Sequence, residues 1–363
     1  MDLRVKEPAA AVRAARQFDR GVSAESLSVL GQGLINDTFL VRGESFRFVL
    51  QRINQAVFPD PAAIMANLKV LNAHVLRQAR STNDCRLPEL IPTLLGDDLY
   101  RDVEGECWRA ISFIENTRNL VVLESPDQAS EVGRALGCFH RWVHDLPVGC
   151  MQDTLPGFHV TPRYLARLDQ VLDEHSSPER TADLDEALAF VARHRGKAPV
   201  LEEALRQGWL KPRVIHGDPK LDNVLFDRQG TRAVSLIDLD TVKPGLLQYD
   251  LGDCLRSCCN TARLGSTAPE GFDLTLFSAI MQGYLNEAQD VLTPADQEYL
   301  HDAVWLLPFE LGLRFLTDHL QGDVYFKVEQ PGDNLVRALA QFRLARSIEL
   351  QEGEIRKTMA DLF

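Results

Sequence analysis

Between Leu27 and Leu50 the apolar positions fall into short runs separated by turn-forming residues. Ser28–Gly31 leads into Gly31-Gln32-Gly33, then Phe39-Leu40-Val41 and Phe46–Leu50 flank a short polar turn at Gly43. Two apolar runs around such a turn predict a β-hairpin. From Pro59 to Gln78 the period lengthens: Ile64, Leu68, Leu71, Val75 and Leu76 recur at helical spacing. Tyr100–Asp102 and Cys107–Ile114 read as strands joined through Glu104-Gly105-Glu106, and residues 10–20 as a short helix. Residues 1–115 therefore predict a sheet with one long helix. Beyond them the pattern is helical at Gln128–Val143, Leu184–Arg206, Phe272–Ala288 and Asp296–His319. Val224–Phe226 and Val234–Ile237 flank the turn Asp227-Arg228-Gln229-Gly230 and predict one small hairpin within the helices. The expected fold class is α+β and bilobal, with a β-rich lobe (1–115) and a mainly helical lobe (116–363).

Length agrees with two lobes, because 363 residues exceed what one hydrophobic core ordinarily holds. A net charge of -13 sets nucleic acid and anionic membranes aside as partners. The N-terminus has no apolar leader core, and no stretch approaches the roughly 20 apolar residues of a spanning helix. The expectation is a cytoplasmic protein with no membrane contact and no obligate protein partner evident. Seven cysteines without a Cys-x-x-Cys read as buried thiols of a reducing compartment, with Cys254 and Cys258 on one helix face.

Chemistry concentrates in Val214–Asp240, which holds His216, Asp218, Lys220 and Asn223 and, past the small hairpin, Asp238. Phosphoryl transfer asks for a carboxylate at the acceptor hydroxyl, oxygen ligands for Mg²⁺ and cations for the moving charge. Asp218, Asn223, Asp238 and Lys220 supply those groups, and the hairpin returns Asp238 to the other three. Gly31–Thr38 suits a loop over nucleotide phosphates, with Gly31, Gly33, Asn36 and Thr38 as candidate contacts. No Gly-x-x-x-x-Gly-Lys-Ser/Thr occurs, so a P-loop is not supported. Phe113 and Ile114 fall where the lobes join and are candidates to bind adenine, above an apolar floor of Leu225 and Ile237.

The order His-Gly-Asp, Asn five residues on, then Ile-Asp resembles the aminoglycoside-phosphotransferase and choline-kinase superfamily. Within it the chain is similar to the N-acetylhexosamine 1-kinases. The matching stretches include Gly33–Val41, Val49–Asn54, Val57–Asp60, Trp108–Glu115, Ile237–Gly245, Tyr249–Asp253 and Gly312–Phe326. The resemblance implies a protein-kinase-like fold, ATP and Mg²⁺ as cofactors, and a small-molecule sugar as substrate. It implies Asp218 as catalytic base, Lys220 beside the γ-phosphate, Asn223 and Asp238 as metal ligands, and Arg314 and Tyr325 as sugar contacts. The rival expectations are a kinase for another hydroxylated acceptor (aminoglycoside, homoserine, choline or hexose) and a ligand-binding pseudokinase.

One departure stands out. Kinases of this broad fold carry a Lys on the third strand paired with a Glu on the next helix. Here Gln51 takes the strand position, as a further candidate nucleotide contact, and the helix offers no Glu. Lys69, with Arg52, is a candidate to supply the missing charge; the favoured alternative is that Lys69 is a solvated helix residue. Asp240 is expected on the same side as Asp238 if the strand continues; Asp250 can cap the helix that begins near Tyr249, and the resemblance implies that it anchors the catalytic hairpin to the helical lobe.

Overall fold

The computed structural model describes residues 8–31, 35–44, 46–78, 85–174, 181–261 and 271–363. In the first lobe α1 (Pro8–Ala15) precedes β1 (Leu27–Val29), β2 (Asp37–Arg42) and β3 (Arg47–Ile53). Helix α2 (Pro61–Gln78) follows, then β4 (Leu90–Ile91), β5 (Tyr100–Arg101) and β6 (Cys107–Ser112). The strands pair antiparallel in the order β1-β2-β3-β6-β4, with β5 also on β6.

Successive side chains of a strand point to opposite faces, and here the two faces have different partners. Phe39, Val41, Phe48, Leu50, Trp108 and Ala110 share the outer face, where the alanines of α1 and Phe18 close a small core. Thr38, Gln51 and Arg109 are cross-strand neighbours with the opposite parity. Helix α2 opens with Asp60 Oδ1 accepting the Ala62 and Ala63 N–H groups. It buries Ile64, Met65, Leu68, Leu71 and Val75 in the larger core that continues into the second lobe. Asn67 of α2 donates to the Val242 and Gln152 carbonyls, so this helix is bonded across the lobes.

The second lobe runs β7 (Thr117–Asn119), α3 (Pro126–Val143), α4 (Thr161–Glu174), α5 (Ala182–His194) and α6 (Val200–Arg206). It continues through β8 (Arg213–Ile215), β9 (Val224–Asp227), β10 (Ala233–Leu236), β11 (Lys243–Gly245) and α7 (Leu247–Cys258). Helices α8 (Leu274–Ala288), α9 (Pro294–Glu298), α10 (Leu300–Leu320), α11 (Asp333–Leu350) and α12 (Glu352–Leu362) finish the chain. The expected hairpin is β9–β10, which β7 extends, and β8 pairs with β11. The helix expected over Leu184–Arg206 is two helices: the chain turns at Arg195–Lys197, and Pro199 cannot donate to an earlier turn. The helix expected from Asp296 likewise divides between α9 and α10. Among the described residues no helix is long and apolar enough to cross a membrane. Cys150 is exposed rather than buried, unlike the other six cysteines.

The second lobe is organised by the contact of α3 with α8. A Cβ on Gly283 would lie 2.0 Å from the Ser130 carbonyl oxygen, and one on Gly133 1.9 Å from that of Ile280. Hydrogen is therefore the only side chain that lets these backbones meet. Ser125 and Asp273 cap the two helices by accepting N–H groups of their first turns. Gly→Ala inside a helix ordinarily stabilises by about 0.5–1 kcal/mol. Gly283→Ala is expected to do the reverse, costing about 1–3 kcal/mol through overpacking. Urea unfolding measures it, and a neutral or stabilised variant would contradict this crossing.

Candidate active site

The loop between β8 and β9 is held from behind by one buried carboxylate. Asp250 Oδ2 accepts the His216 N–H at 2.7 Å and Oδ1 accepts the Gly217 N–H at 2.8 Å. His140 Nε2 donates to the same Oδ2 at 2.9 Å. Asp250 lies inside α7, which begins at Leu247, so it anchors the loop and does not cap its own helix. Gly217 has φ +86°, and a Cβ there would sit 2.5 Å from the Thr241 carbonyl oxygen. The His216 ring donates from Nε2 to the Ile237 carbonyl and accepts the Asp218 N–H at Nδ1. Burial lowers its pKa and keeps it neutral, so its bonds are architectural.

The loop presents Asp218 with its two oxygens in different conditions. Oδ2 is clamped by Lys220 Nζ and by Asn223 Nδ2 at 3.1 Å. Oδ1 has no hydrogen bond among the described residues. Asn223 spends its amide N–H groups on Asp218, which leaves its side-chain oxygen to face a ligand. Burial opposes the Lys220 charge, but Asp218 and Asp238 outweigh it and raise its pKa. The Ile237 N–H donates to the Asn223 carbonyl at 2.9 Å and brings the end of the hairpin beside the loop.

Asp238 then takes a left-handed conformation, φ 66° and ψ 62°. This is uncommon for any residue but glycine and accumulates at functional sites. The turn leaves Asp238 exposed. Desolvation and the neighbouring Asp240 push it up to about 6, against Lys220 and Arg109. Asp240 is not beside it on one strand face, because β10 ends at Leu236. A 3-10 turn instead buries Asp240 beneath the first lobe.

There Asp240 meets Arg109. Both side chains are 2% exposed and form an ion pair, a type whose disruption typically costs about 3–5 kcal/mol. Asn36 Nδ2 also donates to Asp240, at 2.7 Å, while its Oδ1 accepts the Asn54 N–H. Gln51 Oε1 accepts from Arg109 Nε and NH2 at 3.0 and 2.7 Å, and its Nε2 donates to Thr38 Oγ1. Asn36, Thr38 and Gln51, expected as nucleotide contacts, are thus bonded within the protein. Lys69 is solvated, as the favoured reading had it, 59% exposed and paired with Asp98, and Arg52 pairs with Asp37, so neither candidate supplies the strand lysine's charge. Arg109 is the cation in this position. Its signal in the sequence was a charge between Cys107 and Ile111, on the same strand face as Gln51.

Gly31 is exposed with φ +72°, and Gly33 lies outside the described residues. Phe113 and Ile114 form the connection from β6 to β7, with the Ile114 carbonyl accepting from Thr117 Oγ1. Leu225 and Ile237 are half-buried beside fully buried neighbours, which suits an apolar floor.

The opposite end of the cleft is built on α10. The Arg314 guanidinium lies 5.0 Å from the Phe158 ring centre and 5.5 Å from those of Tyr164 and Phe326. Burial opposes its charge, but Tyr164, Tyr325, Glu310 and Asp218 outweigh it and raise its pKa. Arg314 and Asp218 are thus within electrostatic reach. Asp318 accepts the N–H groups of Val324, Tyr325 and Phe326 and fixes the turn that carries the 45%-exposed Tyr325. His159 joins α10 to the catalytic loop, donating to Glu310 at 3.0 Å and to the Gly217 carbonyl at 2.7 Å. His159 and Glu310 carried no motif and were not expected here, and Asp318, within the Gly312–Phe326 stretch, had no role assigned to it.

The site thus combines an accessible carboxylate oxygen, two separate hard oxygen donors and two cations. A Mg²⁺ ion is commonly held by one or two protein oxygens, with water and phosphate oxygens completing its shell. Asn223 and Asp238 fit that requirement. Among the described residues no cluster of three or more His, Cys, Asp or Glu offers a cage.

The chain matches the model of a family described as the phosphotransferase enzyme family over residues 26–290. It is similar to a solved microcompartment-associated aminopropanol kinase, at 21% identity and TM-score 0.63, over 96% of this chain and 98% of that one. An aminoglycoside phosphotransferase from Alicyclobacillus acidocaldarius superposes with TM-score 0.68 at 14% identity, over 99% of each chain. A spectinomycin phosphotransferase solved with ADP and spectinomycin gives TM-score 0.51 at 14% identity, over 88% of this chain and 93% of that one.

Burial alone would lower the His159 pKa, but Glu310 outweighs it and holds the imidazole above its ordinary 6.5. A pKa raised on folding contributes stability that is complete below the unfolded value and lost as pH rises through the folded one. The stability gap between wild type and His159→Gln is therefore expected to be widest below the ordinary histidine pKa and to narrow as pH rises above it. Thermal unfolding across that range measures it. A gap independent of pH would show that His159 is not charged in the fold.

Proposed function

The chain belongs to the phosphotransferase enzyme family, and we propose that it transfers the γ-phosphoryl group of Mg·ATP to the anomeric hydroxyl of an N-acetylhexosamine. Asp218 Oδ1 accepts the acceptor's hydroxyl proton while Lys220 and Asn223 hold Oδ2 in place. That division of labour supports a base aimed by its neighbours. Lys220 stands where it meets the charge on the phosphoryl group. Asn223 and Asp238 would hold Mg²⁺, which when bound supplies charge neutralisation between the phosphates. Gly31 would lie beside the phosphates, with adenine between the Phe113–Ile114 connection and the floor of Leu225 and Ile237. Positioning and electrostatics carry most of the rate in such transfers.

One observation carries the choice of acceptor: Arg314, a cation on three aromatic rings within electrostatic reach of Asp218. Aminopropanol and aminoglycosides are ammonium ions at neutral pH, and a fixed guanidinium repels them. A neutral sugar offers hydroxyl and acetamido oxygens, which a guanidinium can serve with several directed N–H donors. The Tyr325 hydroxyl, at the rim, gives a second polar contact. The likeness of Gly312–Phe326 to the N-acetylhexosamine 1-kinases agrees with this acceptor.

ADP release with Mg·ATP is expected for N-acetylglucosamine or N-acetylgalactosamine, and not for aminopropanol, choline, homoserine or an aminoglycoside. Asp218→Asn is expected to keep the wild-type melting temperature and lose about 10²–10⁴-fold in turnover. Turnover confined to an amine acceptor would sink the sugar assignment, and full activity in Asp218→Asn would remove the base.

A further inference from the structure

We propose that Arg109 is the phosphate-binding cation of the first lobe, reaching the nucleotide from the strand beside the one where a kinase lysine is expected. The proposal rests on the nucleotide reading given above. Gln51 holds the lysine's position on β3, and Arg109 is its Cα partner on β6. Gln51 cannot meet a phosphate as a cation, but it aims one: its Oε1 takes both Nε and NH2 of Arg109. The Gln51 amide N–H is in turn bonded to Thr38 on β2, the strand that follows the candidate phosphate loop. The guanidinium is thereby held on one side by a neutral group, Gln51 Oε1, and on another by Asp240.

One donor is left over. Among the described residues, Arg109 NH1 is buried and has no hydrogen-bond partner. Buried N–H donors are nearly always satisfied, so an orphan on a fixed cation marks the place of an acceptor that the described residues do not supply. The charge of Arg109 also acts on Asp238, the candidate metal ligand, which places it on the side of the cleft where the phosphates would lie. Asp218, Asp238 and Asp240 there outnumber Lys220 and Arg109 by one charge, a balance that a divalent cation reverses in favour of phosphate. A guanidinium is well suited to the role, because its planar fork bonds phosphate oxygens in pairs.

A purely structural tie between the lobes would use the same Asp240 contact, so the test must separate phosphate from nucleoside. Titration calorimetry with Mg·ADP and with adenosine does this on wild type, Arg109→Met and Arg109→Lys. Arg109→Met is expected to weaken Mg·ADP about ten- to a hundredfold and to leave adenosine unchanged, with Arg109→Lys between wild type and Met. If Arg109→Met does not fold because Asp240 is left unpaired, Arg109→Met/Asp240→Asn removes both charges, and the same selective loss of Mg·ADP affinity is expected of it. Unchanged Mg·ADP binding, or an equal loss for both ligands, would overturn the assignment and leave Arg109 as a lobe tie. Absence of Mg·ADP binding by the wild type would overturn the nucleotide reading together with this one.

Discussion

The placement of the site depends on the buried carboxylate of Asp250. It receives two consecutive loop N–H groups and a histidine N–H. Hydrogen bonds to an ionised acceptor are about twice as strong as neutral ones, and none of these donors can turn to water instead. The bonds fix the backbone one residue before Asp218. They are possible only because Gly217 can take φ +86° and carries no Cβ to strike Thr241. From that fixed point Lys220 and Asn223 orient one Asp218 oxygen and leave the other free, while His159 ties the far side of Gly217 to α10 and the acceptor end of the cleft. The phosphoryl and acceptor sides are therefore referenced to one rigid loop.

The first lobe meets this loop through charge. Its sheet gives an apolar outer face to α1, and Thr38, Gln51 and Arg109 lie on the other face. Asp240, two residues beyond Asp238, is gripped from that face by Arg109 and Asn36. Helix α2 does not carry the compensating charge. It buries an apolar face in the larger core and bonds to the second lobe through Asn67. The lobes are thus connected by a buried ion pair and by a helix core, and the first lobe's cation that acts on the candidate metal ligand Asp238 comes from β6.

The two-lobed plan, the hairpin β9–β10 and the Asp218–Asn223–Asp238 set were legible because each has a local signature: a change of period, a turn tetrapeptide, a fixed spacing. Strands β7 and β11 were not, since Thr-Arg-Asn and Lys-Pro-Gly carry no apolar alternation and exist by pairing with distant segments. The break between α5 and α6 was readable at Pro199 but was overridden by the longer apolar pattern. Arg109 escaped because its role depends on register. Only when β3 and β6 are paired does its side chain share a face with Gln51, and only the turn after Asp238 brings Asp240 under it. His159 and Glu310, 151 residues apart, are beyond any local pattern.

The central claim is that the acceptor enters beside Arg314 with its anomeric hydroxyl on Asp218. The position of the transferred phosphate tests it most directly. ³¹P NMR of the product formed from N-acetylglucosamine or N-acetylgalactosamine with Mg·ATP is expected to show one new phosphate ester coupled to the anomeric proton. A phosphate coupled to any other sugar proton, or no sugar phosphate while an amino alcohol is phosphorylated, would contradict the account.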